Sequence, residues 1–436
     1  MKHGLRCLAL AFTIISALTA CGKQRVASSS FEKASGECGS SAMSNQFMIK
    51  RLDGGIEVVR AESQDEFING YMTQNLKDIE YAEPDYVVHA YATARCPTAP
   101  APALTTYADN WGAGYDPLGR HAGIYADAMW AQNVRGDGVV VAVIDTGADL
   151  THPQLAAQIY VNPGESGLDA RGHDKASNGI DDDNNGYIDD VNGYDFVNNA
   201  RLTGDDNGHG THVSGVIAGA HSDTVARGGS YVQGVAPRAK IMPLKFLDFC
   251  GEGSLSNGVR AIKYAAANGA QVINASWGGG ACSRTLRDEI AALTAQNVAF
   301  VVAAGNAHQD IDLLPEFPAA LGLDSQITVG AIGDHADMAH YSNYGLKSVH
   351  IFAPGTNIVS TWPGGLMAYD TGTSMATPFV TGAVALLRGV VPSATVLQIR
   401  AALSSSAAHS SEYINVSKGR MDLTTALSEL HQITGH

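Results

Sequence analysis

Val139-Val140-Val141-Ala142-Val143-Ile144 is an unbroken apolar run, rich in β-branched residues, and it ends in Asp145-Thr146-Gly147. A run with no polar face reads as a strand covered on both sides, the pattern of a parallel sheet between helices. A carboxylate then stands at the carboxyl end of a central strand, where open α/β sheets build their sites. A second run, Val298-Ala299-Phe300-Val301-Val302-Ala303-Ala304, is built the same way and leads into Gly305-Asn306. Residues 241–246 and 272–277 supply two further candidate strands.

Two glycine-rich stretches open candidate helices. In Asn207-Gly208-His209-Gly210-Thr211-His212-Val213-Ser214-Gly215, glycines flank His209 and let the backbone approach closely on both sides. In Gly372-Thr373-Ser374-Met375-Ala376-Thr377-Pro378, a serine follows a glycine-led turn at a helix start. There a nucleophile gains from exposed N–H groups and the positive end of the helix dipole. Taken singly, each piece has a plain structural reading as a cap, a turn or a core histidine.

Together, in the order Asp, His, Ser, these motifs resemble the subtilisin-like serine proteases, over roughly residues 108–435. The resemblance implies a three-layer α/β fold with a mainly parallel central sheet, preceded by a small α+β propeptide. It implies hydrolysis of peptide bonds in protein or peptide substrates, with the enzyme made as a self-processing zymogen. Ser374 would attack, and His209 would take its proton and return it to the leaving amine. Asp145 would fix the imidazole tautomer. Asn306 would donate its side-chain amide to the oxyanion. Gly253 and Ser254 on one side, and Ser276, Trp277 and Gly278 on the other, would pair with the backbone of an extended peptide. Ala304, Gly305 and Glu316 would line the adjoining pocket. A carboxylate at position 316 would favour a basic residue before the cut bond, unless it points to solvent. The family offers no catalytic role for His212.

A net charge of −15 argues against nucleic acid as a partner and is compatible with bound calcium. The acidic stretch Asn178-Gly179-Ile180-Asp181-Asp182-Asp183-Asn184-Asn185-Gly186-Tyr187-Ile188-Asp189-Asp190 has the alternation of the front half of an EF-hand loop. Asp181, Asp183 and Asn185 would bind Ca²⁺ with the Tyr187 carbonyl. Asn192 stands where that loop usually carries glutamate, so Asp189 or Asp190 would substitute, and we take Asp190. Calcium loops of this sort, between the Asp and His motifs, are also what the family resemblance implies.

The beginning of the chain reads as export machinery. Lys2 and Arg6 precede an apolar run over residues 8–18, short for a membrane span and suited to a signal peptide. Leu18-Thr19-Ala20-Cys21 resembles a bacterial lipoprotein signal, which implies lipidation of Cys21 after loss of residues 1–20. Gly22 after the cysteine implies the outer membrane. Residues 21–45 read as a flexible tether. Residues 46–91 hold a strand, a helix and a strand, and resemble a shortened propeptide that would inhibit by laying its tail in the cleft. Residues 92–107 contain Pro97, Pro100 and Pro102 and read as a linker carrying the processing site. Residues 108–436 form the peptidase domain.

Six cysteines occur. With Cys7 lost and Cys21 lipidated, Cys38, Cys96, Cys250 and Cys282 remain, an even number in an exported protein. Of the three possible pairings, Cys250–Cys282 with Cys38–Cys96 is preferred, because Cys250 and Cys282 both follow candidate strands on neighbouring loops.

Overall fold

The structure, a computed structural model, describes residues 42–91, 111–114, 122–221, 232–279 and 282–435. Among these the central sheet has ten strands. Val140–Asp145 lies near its middle, paired in parallel with Lys240–Lys245 on one side and Val272–Ala275 on the other. From Val272–Ala275 the sheet continues in parallel through Ala299–Ala303, Gln326–Ile332 and Ile351–Pro354. Short strands close both edges. Apart from the half-buried Val140, the unbroken apolar runs are buried, as a sheet covered on both faces requires.

One face packs on the His209–Ala218 and Thr373–Val390 helices, whose Val213, Val216, Phe379 and Val384 share a core with Val141, Val143 and Val301. The other face packs on Leu255–Ala267 and Arg284–Ala292, through Val259, Ile262, Leu286 and Ile290. The two glycine-rich motifs therefore start helices on the same face, and both point at the carboxyl ends of the strands. The fold is the expected α/β class with a mainly parallel central sheet.

A small antiparallel unit precedes it. Ala42–Arg51 pairs with Ile56–Arg60 and with Ile79–Ala90. A helical segment from Gln64 to Asn75, with a π-helical middle, packs Phe67 and Met72 against Phe47, Ile49 and Ile79. Ile56–Arg60 was not among the expected elements.

Two carboxylates of this unit meet helix starts of the rest of the molecule, beside the Lys50–Glu289 ion pair at 2.6 Å. Asp85 accepts from Ser256 N at 3.0 Å and Ser256 Oγ at 2.5 Å, at the start of Leu255–Ala267. Glu83 accepts from Ser283 Oγ at 2.6 Å and from Arg284 N and Thr285 N at 3.0 Å, at the start of Arg284–Ala292. Each carboxylate meets the N–H groups a helix start leaves without partners and the positive end of its dipole.

The last residues of Ile79–Ala90 leave the unit and pass between two strands of the larger domain. Val87, Val88 and His89 pair antiparallel with Ser254, Gly253 and Glu252, while His89 and Ala90 pair with Gly278 and Trp277. This insertion corrects the expected cysteine pairing. Cys250 is disulfide-bonded, but Cys282 keeps its thiol, so the partner of Cys250 lies outside the described residues. The two loops are neighbours in sequence logic only, because a strand runs between them. Cys38 and Cys96 lie outside the described residues, as do Cys21 and the signal segment. Among the described residues no helix is long and apolar enough to cross a membrane.

Candidate active site

Asp145 is the last residue of its strand and is fully buried. Its Oδ1 accepts from its neighbour's Thr146 N at 2.7 Å, which orients the carboxylate. Lys245, at the end of the adjacent strand, holds the loop after it by donating from Nζ to Thr146 O at 3.0 Å and Leu247 O at 2.8 Å. His209 is the first residue of its helix. Asp205 ties down that helix start, with Oδ1 accepting from Gly208 N at 2.9 Å and Oδ2 from Thr211 N at 2.9 Å. The result is a 2.7 Å hydrogen bond from His209 Nδ1 to Asp145 Oδ1.

His209 Nε2 is buried and makes no hydrogen bond. Burial alone lowers the proton affinity of this imidazole, but the charge and hydrogen bond of Asp145 outweigh it, helped by Asp370 and Asp205, and the group titrates above its ordinary value. Ser374, second in its helix, does not reach back to the histidine here. Its Oγ donates to Ser276 O at 2.8 Å.

Asn306 follows the end of Ala299–Ala303. Its Oδ1 accepts from Thr373 N at 2.9 Å and Thr373 Oγ1 at 2.8 Å, which fixes the amide so that Nδ2 points outward. That Nδ2 donates to Tyr91 O at 3.1 Å. Tyr91 N in turn donates to Ser276 O at 3.2 Å. A side chain at position 372 would put its Cβ 2.3 Å from Tyr91 O, so only glycine leaves room for that carbonyl. The chain thus carries one of its own peptide carbonyls onto the Asn306 amide, beside Gly372. Tyr91 was the expected end of the N-terminal unit, but nothing in its sequence marked it as the residue that occupies the site. Thr373 was likewise unremarked.

The segments expected to flank a substrate are brought together. Gly253, Ser254, Trp277 and Gly278 pair with residues 87–90, and Ser276 supplies the carbonyl that Tyr91 N meets. Ala304 is buried in a small core with Ala319. Gly305 N donates to Thr373 Oγ1 at 3.2 Å. Glu316 is not turned to solvent: its Oε1 accepts from the Tyr91 hydroxyl.

The acidic loop brings two of the expected carboxylates, Asp181 and Asp183, together with Glu165. Carboxylate oxygens of Glu165, Asp181 and Asp183 lie within 4.8 Å of one another. Glu165 is buried, its Oε1 accepts from Asp182 N at 2.6 Å, and its Oε2 is buried with no hydrogen bond. Burial pushes its proton affinity up. Three converging carboxylates, one of them Glu165 with a buried oxygen that has no hydrogen bond, fit a calcium ion. Asp190 does not join them. Its carboxylate is turned into the core, accepting from Asn162 at 3.0 Å, Asn185 at 2.9 Å and the Tyr264 hydroxyl. Asn185 Oδ1 is occupied by Tyr187 N at 2.8 Å, and the Tyr187 ring packs on Tyr194 and Tyr264.

With this geometry in view, the comparisons with known proteins define the class. The subtilase family model matches residues 136–429. The thermophilic serine proteinase of Bacillus sp. (strain AK1) is 32% identical over 365 residues, 84% of this chain and 76% of that protein. Subtilisin DY of Bacillus licheniformis is 32% identical over 304 residues, covering 70% and 96%. A crystal structure of a cold-adapted subtilisin-like serine proteinase superposes with a TM-score of 0.52 at 31% identity, over 66% of this chain and 90% of that one. The chain belongs to the subtilase family, and it is a serine endopeptidase of that family.

Proposed function

We propose that the chain is an exported, calcium-stabilised zymogen that cuts itself between Tyr91 and Ala92 and then hydrolyses protein substrates. The observation that carries this reading is the placement of the Tyr91 carbonyl on the Asn306 amide, with Tyr91 N on Ser276 O. A carbonyl held there is polarised at its oxygen and presents its carbon to the serine of the next helix. Ser374 attacks after its hydroxyl swings from Ser276 O to His209 Nε2. His209 accepts the proton, and the Asp145 carboxylate stabilises the imidazolium. The tetrahedral oxyanion takes the Asn306 amide and the Ser374 N–H. His209 returns the proton to the amine of Ala92, and water then releases the acyl group by the same route.

Residues 42–91 act as template and inhibitor, and the carboxylates of Asp85 and Glu83 support that reading, since each completes a helix of the peptidase domain. The sequence supports lipidation at Cys21 and an outer-membrane attachment before processing. Amino-terminal sequencing of the purified mature protein tests the central claim. It should begin at Ala92. A mature protein beginning elsewhere in 92–107, with the bond after Tyr91 intact, would sink this assignment of the cut.

Glu165, Asp181 and Asp183 would hold the calcium ion, which would relieve the repulsion of three close carboxylates and secure the loop. Removing calcium with a chelator is expected to lower the melting temperature by about 5 °C or more. The Glu165→Gln protein should lose most of that calcium-dependent difference. An Asp190→Asn protein that loses it instead would restore the pattern expected from sequence.

A further inference from the structure

One carboxylate beside the scissile position has no part in bond breaking. Glu316 is half-buried, and the Tyr91 hydroxyl donates to its Oε1. The Tyr91 ring lies directly against the backbone of Gly278. A Cβ built there would stand 2.3 Å from the Tyr91 hydroxyl oxygen and 2.8 Å from its ring carbon Cε2. Any side chain at position 278 would therefore close the space. The same slot is bordered by Phe317 O, which accepts from Gly279 N at 3.1 Å. Gly305 faces the stem of Glu316, and a Cβ added at that glycine would fall 3.3 Å from Glu316 Cγ.

We propose that Glu316 makes this enzyme select tyrosine at the residue before the cut bond, by accepting a hydrogen bond from the phenol hydroxyl. The inference rests on the proposed reading of Tyr91 as the residue whose carbonyl is attacked. A glycine-floored slot takes a flat ring, and the carboxylate at its end supplies one acceptor for one hydroxyl. Phenylalanine fits the slot but leaves that half-buried carboxylate with the Gly279 N–H and no phenol donor. A site built to bond a hydroxyl discriminates strongly against the analogue lacking it, because its own polar group is stranded. A lysine ammonium brings three donors to a slot end shaped around one hydroxyl, and its thin stem leaves the ring space unfilled. The enzyme's own first substrate, Tyr91, satisfies all of these conditions.

The test uses mature wild-type enzyme and peptides that carry Val-Val-His-Ala before X, as in residues 87–90, with X as Tyr, Phe, Lys or Arg and a reporter amine after it. The expected kcat/KM for Tyr exceeds that for Phe by about tenfold or more, and exceeds those for Lys and Arg. A smaller Tyr-to-Phe ratio, or a faster reaction on Lys or Arg, overturns the proposal. In Glu316→Leu enzyme the Tyr-to-Phe ratio should fall to about one or below. A ratio that stays at the wild-type value also overturns it. Should that variant not fold, the wild-type series decides alone. Failure of the underlying reading looks different: no peptide in the set would then be cut faster by wild type than by the Ser374→Ala protein.

Discussion

The Ser374→Ala protein is expected to remain uncut between Tyr91 and Ala92 and to lose about a millionfold in kcat on casein, a magnitude carried over from the same change in subtilisin, a relative in the family. The substitution removes one oxygen from a residue near a helix start, and alanine suits a helix there. Among the described residues, the one hydrogen bond the side chain gives up is the 2.8 Å one to Ser276 O, a carbonyl that Tyr91 N also meets. The fold should therefore survive, with the Tyr91 carbonyl still on Asn306. Intact mass of the purified protein reads the outcome. A Ser374→Ala chain processed at the wild-type rate would mean that another group, or another enzyme, makes the cut.

The Asp145→Asn change should lower kcat by about ten thousandfold, the size of effect measured for the equivalent acid in a chymotrypsin-type triad. It should also move the acid limb of the pH–rate profile. His209 must be neutral to accept the serine proton. In the intact protein burial lowers its proton affinity, but Asp145, with Asp370 and Asp205, raises it above the ordinary 6.5. The acid limb of the wild type therefore lies above that value, and activity falls as pH drops through it. With asparagine at position 145 the burial remains while the largest opposing charge is gone, so the limb shifts to lower pH. Measuring kcat/KM against pH in both proteins checks this. An unmoved limb would assign the titration to some other group.

Much of this site was legible because its signals are local. The run over residues 139–144 declares a strand buried on both faces, and the residue that ends it is fixed by chain order. The glycines around His209 and before Ser374 mark helix starts for the same reason. What escaped depends on distant parts of the chain meeting. Glu165 precedes the acidic loop and belongs to no motif, yet the fold turns its carboxylate onto Asp181 and Asp183. Asp190 has suitable spacing for a calcium ligand, but Asn162 and the buried Tyr264 hydroxyl, from other elements, claim it. The preferred disulfide failed because the Ile79–Ala90 strand enters between the loops of Cys250 and Cys282. Glu316 was readable as a pocket residue only by resemblance. Its direction is set by where Tyr91 lies, which no local pattern records.

That inserted strand has a consequence for the enzyme after it departs. While residues 87–90 are in place, the backbone groups of Gly253 and Ser254 on one side and Trp277 and Gly278 on the other are paired. Were they to leave, as the proposed processing requires, two facing sheet edges would stand open a strand's width apart. Open edges recruit whatever extended chain is nearby, including the unfinished copies of the same protein. Under the proposed processing, residues 42–91 would guard these edges against mispairing during synthesis, and their removal would leave a surface to be occupied by substrate or by water.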